Sequence, residues 1–221
     1  MKEPNRVRKN EIKAINQIQL NEEQKEAKRL IIENQIVIIT GRAGSGKSLV
    51  GAQAALDFLL KKQVLDIKVT RAAIEVGKTL GFLPGELESK YSPYIEALQE
   101  NLYKCYDKAK IDELITQGKI KGMPVQFIRG KTIDDILIVE EAQNLTKHEM
   151  LAILTRLGKS GKIIINGDNE QTDIKTITGE INGLSYVIEL SKKIEEIKWI
   201  KLKENHRSDL VGKILDYEYE K

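Results

Sequence analysis

Two stretches carry residue types that handle phosphate and a hard cation. Gly41-Arg42-Ala43-Gly44-Ser45-Gly46-Lys47-Ser48 fits G-x-x-x-x-G-K-[ST] without a mismatch, and Leu49 follows it. In such a loop the glycines let backbone N–H groups turn inward, and the following helix N-terminus adds partial positive charge. Lys47 is then expected at the β- and γ-phosphates of a nucleotide, and the Ser48 hydroxyl on Mg²⁺. The second stretch is Ile136-Leu137-Ile138-Val139, an apolar run ending in Glu140-Glu141. A buried strand that ends in two acids can place one on the metal and one beside the reacting phosphate. Glu140 is assigned to Mg²⁺, and Glu141 to polarising the attacking water.

Two further positions are weaker candidates. Gly167-Asp168-Asn169-Glu170-Gln171 follows a predicted strand, so it opens at the edge of the sheet where α/β proteins bind ligands. Gln171 is a candidate for sensing the γ-phosphate or placing water, and Asp168 for a network around the metal. Arg207 follows the last predicted strand and is a candidate for stabilising transition-state charge. Arg71 and Arg129 are candidates for contacts to nucleic acid or to the γ-phosphate, and equally for structural ion pairs.

Strands and helices must alternate to hold these groups. Residues 21–33 read as an amphipathic helix with Asn21 as N-cap and Gln24 three residues on. Gln35–Thr40, Asp66–Thr70, Val125–Ile128, Ile136–Val139, Lys162–Asn166 and Glu196–Leu202 read as strands. Leu49–Lys62, Ile95–Gln117 and Leu145–Leu157 read as helices, the second stopped by Gly118 and the third started at Thr146. Gly77–Tyr94 is punctuated by Gly81, Pro84, Gly85 and Pro93, and reads as a loop or insert. Alternation of this kind predicts an α/β fold with a mostly parallel sheet flanked by helices on both faces. The expected organisation is a basic arm over 1–19, then one domain over 20–221 with a helical or loop excursion near 77–122.

Composition narrows the class. Hydrophobic content of 41% supports a packed core, and 5% aromatics does not advertise a broad base-stacking surface. The net charge of +3 decides little about nucleic acid. Residues 1–13 carry Lys2, Arg6, Arg8, Lys9 and Lys13 against Glu3 and Glu11, either a solvated terminus or a phosphate-attracting arm. The single cysteine, Cys105, permits no intrachain disulfide, and one Cys with two His makes no metal cluster. The N-terminus lacks an apolar signal segment and the longest apolar runs are strand-sized, so a cytoplasmic protein without a membrane partner is expected.

The motifs, taken in order, resemble the PhoH-like proteins, a family of P-loop ATPases related to the superfamily 1 helicase core. Leu20-Asn21-Glu22-Glu23-Gln24 looks like the family's adenine-side motif, which implies Gln24 as an adenine contact. Glu75-Val76-Gly77, Leu80-Gly81-Phe82-Leu83-Pro84-Gly85, Lys90 and Pro93-Tyr94 match its most distinctive stretch. Phe127-Ile128-Arg129-Gly130-Lys131-Thr132 and Glu140-Glu141-Ala142-Gln143-Asn144 match two more segments. Thr155-Arg156-Leu157-Gly158 and Gly167-Asp168 with Gln171 complete the set. The resemblance implies a RecA-like three-layer P-loop NTPase fold and ATP with Mg²⁺ as ligands. It implies hydrolysis coupled to RNA or single-stranded DNA, and a homo-oligomeric ring, hexameric in one reading. The chain also departs from the pattern: Glu140 stands where the family usually has Asp, Ala72 where it often has Pro, and Lys131 where it has Arg. The alternative reading is a nucleotide-dependent assembly switch that unwinds nothing. A small-molecule kinase fits less well, because no Arg-rich lid is evident.

Overall fold

The computed structural model describes residues 18–72, 92–169 and 181–204, together with residues 210, 213 and 217. The basic arm up to residue 17, the segment 73–91, Gln171 and Arg207 lie outside the described residues. Six strands form one sheet: β1 (Ile36–Thr40), β2 (Ile67–Arg71), β3 (Ile120–Gly122), β4 (Ile136–Glu140), β5 (Lys162–Gly167) and β6 (Ile197–Lys201). Their spatial order is β3-β2-β4-β5-β1-β6, and every pairing among them is parallel. The near-continuous Ile and Val runs of β1, β4 and β5 suit this arrangement, because a parallel sheet is covered on both faces.

Helices α1 (Glu22–Glu33), α2 (Lys47–Leu60) and α3 (Ser92–Cys105) share one layer, in which α2 packs against both of the others. They close a core containing Ile31, Val50, Leu56, Leu98 and Leu102 over Ile39, Ile138 and Ile164. A fourth helix, α4 (Lys108–Thr116), follows α3. The opposite face is covered by α5 (Val125–Ile128), α6 (Lys147–Leu154) and α7 (Gly183–Ser191), packed on Ile38, Leu137, Val139, Ile163 and Ile165. The result is a three-layer α/β fold, as the alternation predicts.

Helix α1 opens as read from the sequence. Asn21 Oδ1 accepts from Gln24 N at 2.8 Å and Gln24 Oε1 accepts from Asn21 N at 3.1 Å, a reciprocal capping box. Thr146 and Glu149 form a second such box at α6. The helix predicted over Ile95–Gln117 is instead two, α3 and α4. Asp107 caps α4 by accepting from Lys110 N at 3.0 Å, which restarts the helix after a break.

Val125–Ile128 is a correction: it is a single helical turn, and the strand lies earlier, at β3. Pro124 at the N-cap donates no N–H to a ladder, and the buried pair Val125 and Ile128 has helical spacing, with Phe127 exposed between them. The last residues of the 77–122 span therefore extend the sheet beside β2. Helix α7 has no counterpart among the elements expected from the sequence. Asn182 caps it by accepting from Ser185 N at 2.8 Å, and Leu184, Val187 and Ile188 bury its inner face.

Candidate nucleotide and metal site

The sheet order decides the site. β5 lies between β1 and β4, so the carboxyl ends of all three strands meet beside the loop that leaves β1. Glu140 shares a face with Ile138, and Asn166 shares one with Ile164, by the two-residue period of a strand. Ile138 and Ile164 both pack in the core that α2 covers, so both polar side chains face the first turn of α2.

There the residues meet. Ser48 Oγ donates to Glu140 Oε2 at 2.7 Å, across 92 positions of sequence. Asn166 Nδ2 donates to Glu140 Oε1 at 2.9 Å. Both carboxylate oxygens are thus held in a group that is only 9% exposed. Burial raises the Glu140 carboxyl above the usual carboxylate range. The hydrogen bonds from Asn166 and Ser48 oppose that, the Glu141 charge adds to it, and Lys47 opposes it.

Lys47 Nζ donates to the carbonyls of Gly41 and Arg42, at 3.1 Å for the latter, so the ammonium lies along the loop. Gly46 N-caps α2 at φ +87°, and a Cβ there would come within 2.5 Å of Gln24 Nε2. The left-handed φ favours glycine, and any side chain there would displace the Gln24 amide. Gln24 is nearly fully buried and donates from Nε2 to Ser45 O at 3.0 Å. Its amide therefore ties α1 to the phosphate loop.

Glu141 has left-handed backbone, φ 52° and ψ 46°, which is uncommon outside glycine. Gln143 holds it: its Nε2 donates to Glu141 Oε2 at 2.6 Å, and its Oε1 accepts from Asp168 N at 3.0 Å. Gln143 is 1% exposed, so this bridge from β4 to the end of β5 is dry. An observed backbone outlier held by a buried side chain is the pattern expected of a functional position.

Lys47, Ser48, Glu140 and Glu141 all line one cavity of about 630 Å³. Gln24, Ala43, Gly44, Gly46 and Leu49 line it too, and so does Asp168. Gly41, Arg42 and Ser45 belong to the same loop without lining the cavity. Three groups of lining residues are not singled out by the sequence: Asn166, the α3 residues Glu100, Asn101 and Lys104, and Ile18 with Gln19. The donors beneath the loop are a hydroxyl, a carboxylate and an amide oxygen. Hard oxygen ligands of this kind suit Mg²⁺, which takes few protein ligands and fills its octahedron with phosphate and water.

The fold and this site define a P-loop nucleotide-binding protein. A family model described as PhoH-like protein matches residues 17–219. The chain is 38% identical over 188 residues to a PhoH-like protein of Mycobacterium tuberculosis, covering 83% of this chain and 52% of that one. It is 37% identical over 186 residues to a PhoH-like protein of Bacillus subtilis, covering 83% and 58%. It spans about half the length of these curated relatives. The crystal structure of Pif1 helicase from Candida albicans shares the fold, with a TM-score of 0.50 and 17% identity, over 90% of this chain and 43% of that one. This chain belongs to the PhoH family. Among its described residues, no helix is long and apolar enough to cross a membrane.

Proposed function

We propose that the chain is a Mg²⁺-dependent ATPase whose turnover is coupled to RNA or single-stranded DNA. The observation that carries the first half is the 2.7 Å contact between Ser48 and Glu140, which joins the phosphate loop to the acid strand. A bound Mg²⁺ would supply Lewis-acid charge at the phosphates, with Ser48 and Glu140 as the residues that hold it. The loop amides and Lys47 hold the β- and γ-phosphates. Glu141 orients a water and takes its proton as the water oxygen bonds to the γ-phosphorus. The bond from that phosphorus to the β–γ bridging oxygen breaks, releasing ADP and inorganic phosphate. Gln143 keeps one Glu141 oxygen occupied and directs the other toward the water. Gln171 and Arg207 are assigned to sensing the γ-phosphate and stabilising its charge, and Gln24 to the adenine side.

Coupling to nucleic acid rests on the family membership and on the order of the helicase-like motifs. This domain would supply one grip on a strand, and a neighbouring copy in a cytoplasmic ring would supply a second.

Steady-state ATPase at low salt, with and without single-stranded RNA and DNA, tests both halves. Stimulation that fades as salt rises is expected. No Mg²⁺-dependent hydrolysis would overturn the ATPase. Hydrolysis indifferent to nucleic acid would overturn the coupling, and light scattering with and without nucleotide would then test an assembly switch.

A further inference from the structure

We propose that Asn166 is a positioning residue for the cation: its amide nitrogen fixes the Glu140 carboxylate while its amide oxygen accepts a hydrogen bond from the cation's water shell. This inference rests on the reading of the cavity as a nucleotide and Mg²⁺ site. The chemistry of Glu140 orients the amide. Ser48 Oγ already donates to one carboxylate oxygen, and the other faces the Asn166 amide at 2.9 Å. An ionised carboxylate only accepts, so Nδ2 must be the end that meets it. That leaves Oδ1 turned away from Glu140. The atom is buried and has no hydrogen-bond partner among the described residues.

Asn166 as a whole is 1% exposed, yet it lines the cavity beside Ser48, Glu140 and Asp168. A buried acceptor with nothing to accept calls for a specific account, since nearly all such groups in folded proteins are paired. A purely structural clamp on Glu140 would need only the donor. The acceptor is accounted for when a proton-bearing ligand enters the cavity at that point. Metal-bound water is such a donor, and Mg²⁺ commonly keeps several of its waters. Groups that orient a metal's ligands in this way usually affect affinity or activity about 10- to 100-fold.

The packing behind Asn166 offers an independent handle. Gly51, one turn along α2, faces it. A Cβ at Gly51 would lie 3.3 Å from Asn166 Nδ2 and 3.4 Å from Ile164 Cγ2. Gly51→Ala therefore crowds the amide without entering the cavity, and alanine is the better helix former.

The test is calorimetric binding of ADP to the whole chain, with Mg²⁺ and with EDTA, alongside the Mg²⁺ concentration for half-maximal ATPase. Asn166→Leu keeps bulk and removes both polar atoms. Its metal-free ADP affinity is expected to stay within about twofold of wild type. The gain in affinity on adding Mg²⁺ should shrink about tenfold or more, with a matching rise in the half-activating concentration. Gly51→Ala should raise the Mg²⁺ requirement severalfold while its thermal melt remains a single cooperative transition, and it carries the test if Asn166→Leu does not fold. A wild-type Mg²⁺ gain in the folded variant would overturn the proposal. So would an equal loss of affinity with and without Mg²⁺. Failure of the wild-type chain to bind ADP with Mg²⁺ would sink the nucleotide-site reading itself, a separate outcome.

Discussion

Glu140 stands where the PhoH pattern usually has aspartate, so Glu140→Asp would on that ground restore an ordinary site. The geometry predicts the opposite. The carboxylate meets Ser48 Oγ at 2.7 Å and Asn166 Nδ2 at 2.9 Å, from a strand whose backbone is fixed on both sides by β2 and β5. Removing one methylene withdraws the carboxylate by about one C–C bond, about 1.5 Å, and leaves it roughly 4 Å from both partners. Two charge-assisted hydrogen bonds are lost in a buried place, and a methylene-sized void opens. Such losses cost about 2–4 kcal/mol together, or roughly 5–15 °C in melting temperature for a chain of this size. Mg²⁺ half-activation should rise about 10- to 100-fold, because the acid proposed to hold the metal is no longer oriented. The assay is ATPase against Mg²⁺ concentration, with a thermal melt of the same preparation. If Glu140→Asp leaves the melting temperature unchanged and turns over as fast at the same Mg²⁺, the reasoning is refuted.

The same packing sets three other outcomes. Glu141→Gln should keep ADP and ATP affinity within a few fold while turnover falls about 10²- to 10⁴-fold; equal turnover would remove Glu141 from its role. Lys162 Nζ donates to the carbonyls of Ile31, Ile32 and Asn34 at 2.8–3.0 Å and so closes the C-terminus of α1. Lys162→Met should lower stability by about 2 kcal/mol in urea unfolding, with turnover at low temperature unchanged. Cys105 is 2% exposed and burial raises its thiol to about 11, so iodoacetamide at pH 8 should leave it unmodified until the chain unfolds. Rapid labelling of the folded protein would contradict that packing.

The parts of the site legible in sequence are those written contiguously. Gly41 to Ser48 is a local instruction: the glycines, the lysine and the following helix are neighbours in the chain, and the helix stands where expected. The same holds for Asn21 with Gln24, whose capping box needs only three residues of separation. Asn166 is hidden for the opposite reason. It ends the run Ile163-Ile164-Ile165, which reads as an ordinary buried strand, and its meaning depends on β5 lying between β1 and β4. Strand order is a non-local fact that no window of sequence contains. Helix α7 is obscured differently. Its cap, Asn182, and its buried Leu184, Val187 and Ile188 are present in the sequence, but Gly179 and Gly183 on either side of the cap read as loop residues. Gly183 in fact lies in the first turn, pressed so closely on Leu145 and Met150 that a Cβ would come within 3.0–3.1 Å of them.

The sheet order also explains why the two acids have different characters. Glu140 is the last residue of β4, still in register with Arg71 of β2, so its backbone is held by the ladder and its side chain by Ser48 and Asn166. Glu141 is one residue past the ladder, where the chain can take a left-handed conformation. That turn sends consecutive side chains in different directions. One acid goes down against α2, into a buried, fully hydrogen-bonded place suited to holding a cation. The other goes into a half-buried place where Gln143 restrains it. Gln143 is anchored in turn to the backbone of Asp168. Asp168, the first residue after β5, is thus joined to Glu141 through Gln143, while Asn166 of β5 itself is joined to Glu140. On the proposed assignment, the two acids would separate cation binding from hydrolysis. Glu140, proposed to hold the cation, is built into the sheet, and Glu141, proposed to direct the water, is tied through Gln143 to the end of β5. Gln143→Leu should accordingly slow turnover at unchanged Mg²⁺ affinity, while Asn166→Leu should weaken Mg²⁺ affinity. Identical profiles for the two variants would show that the acids act as one unit.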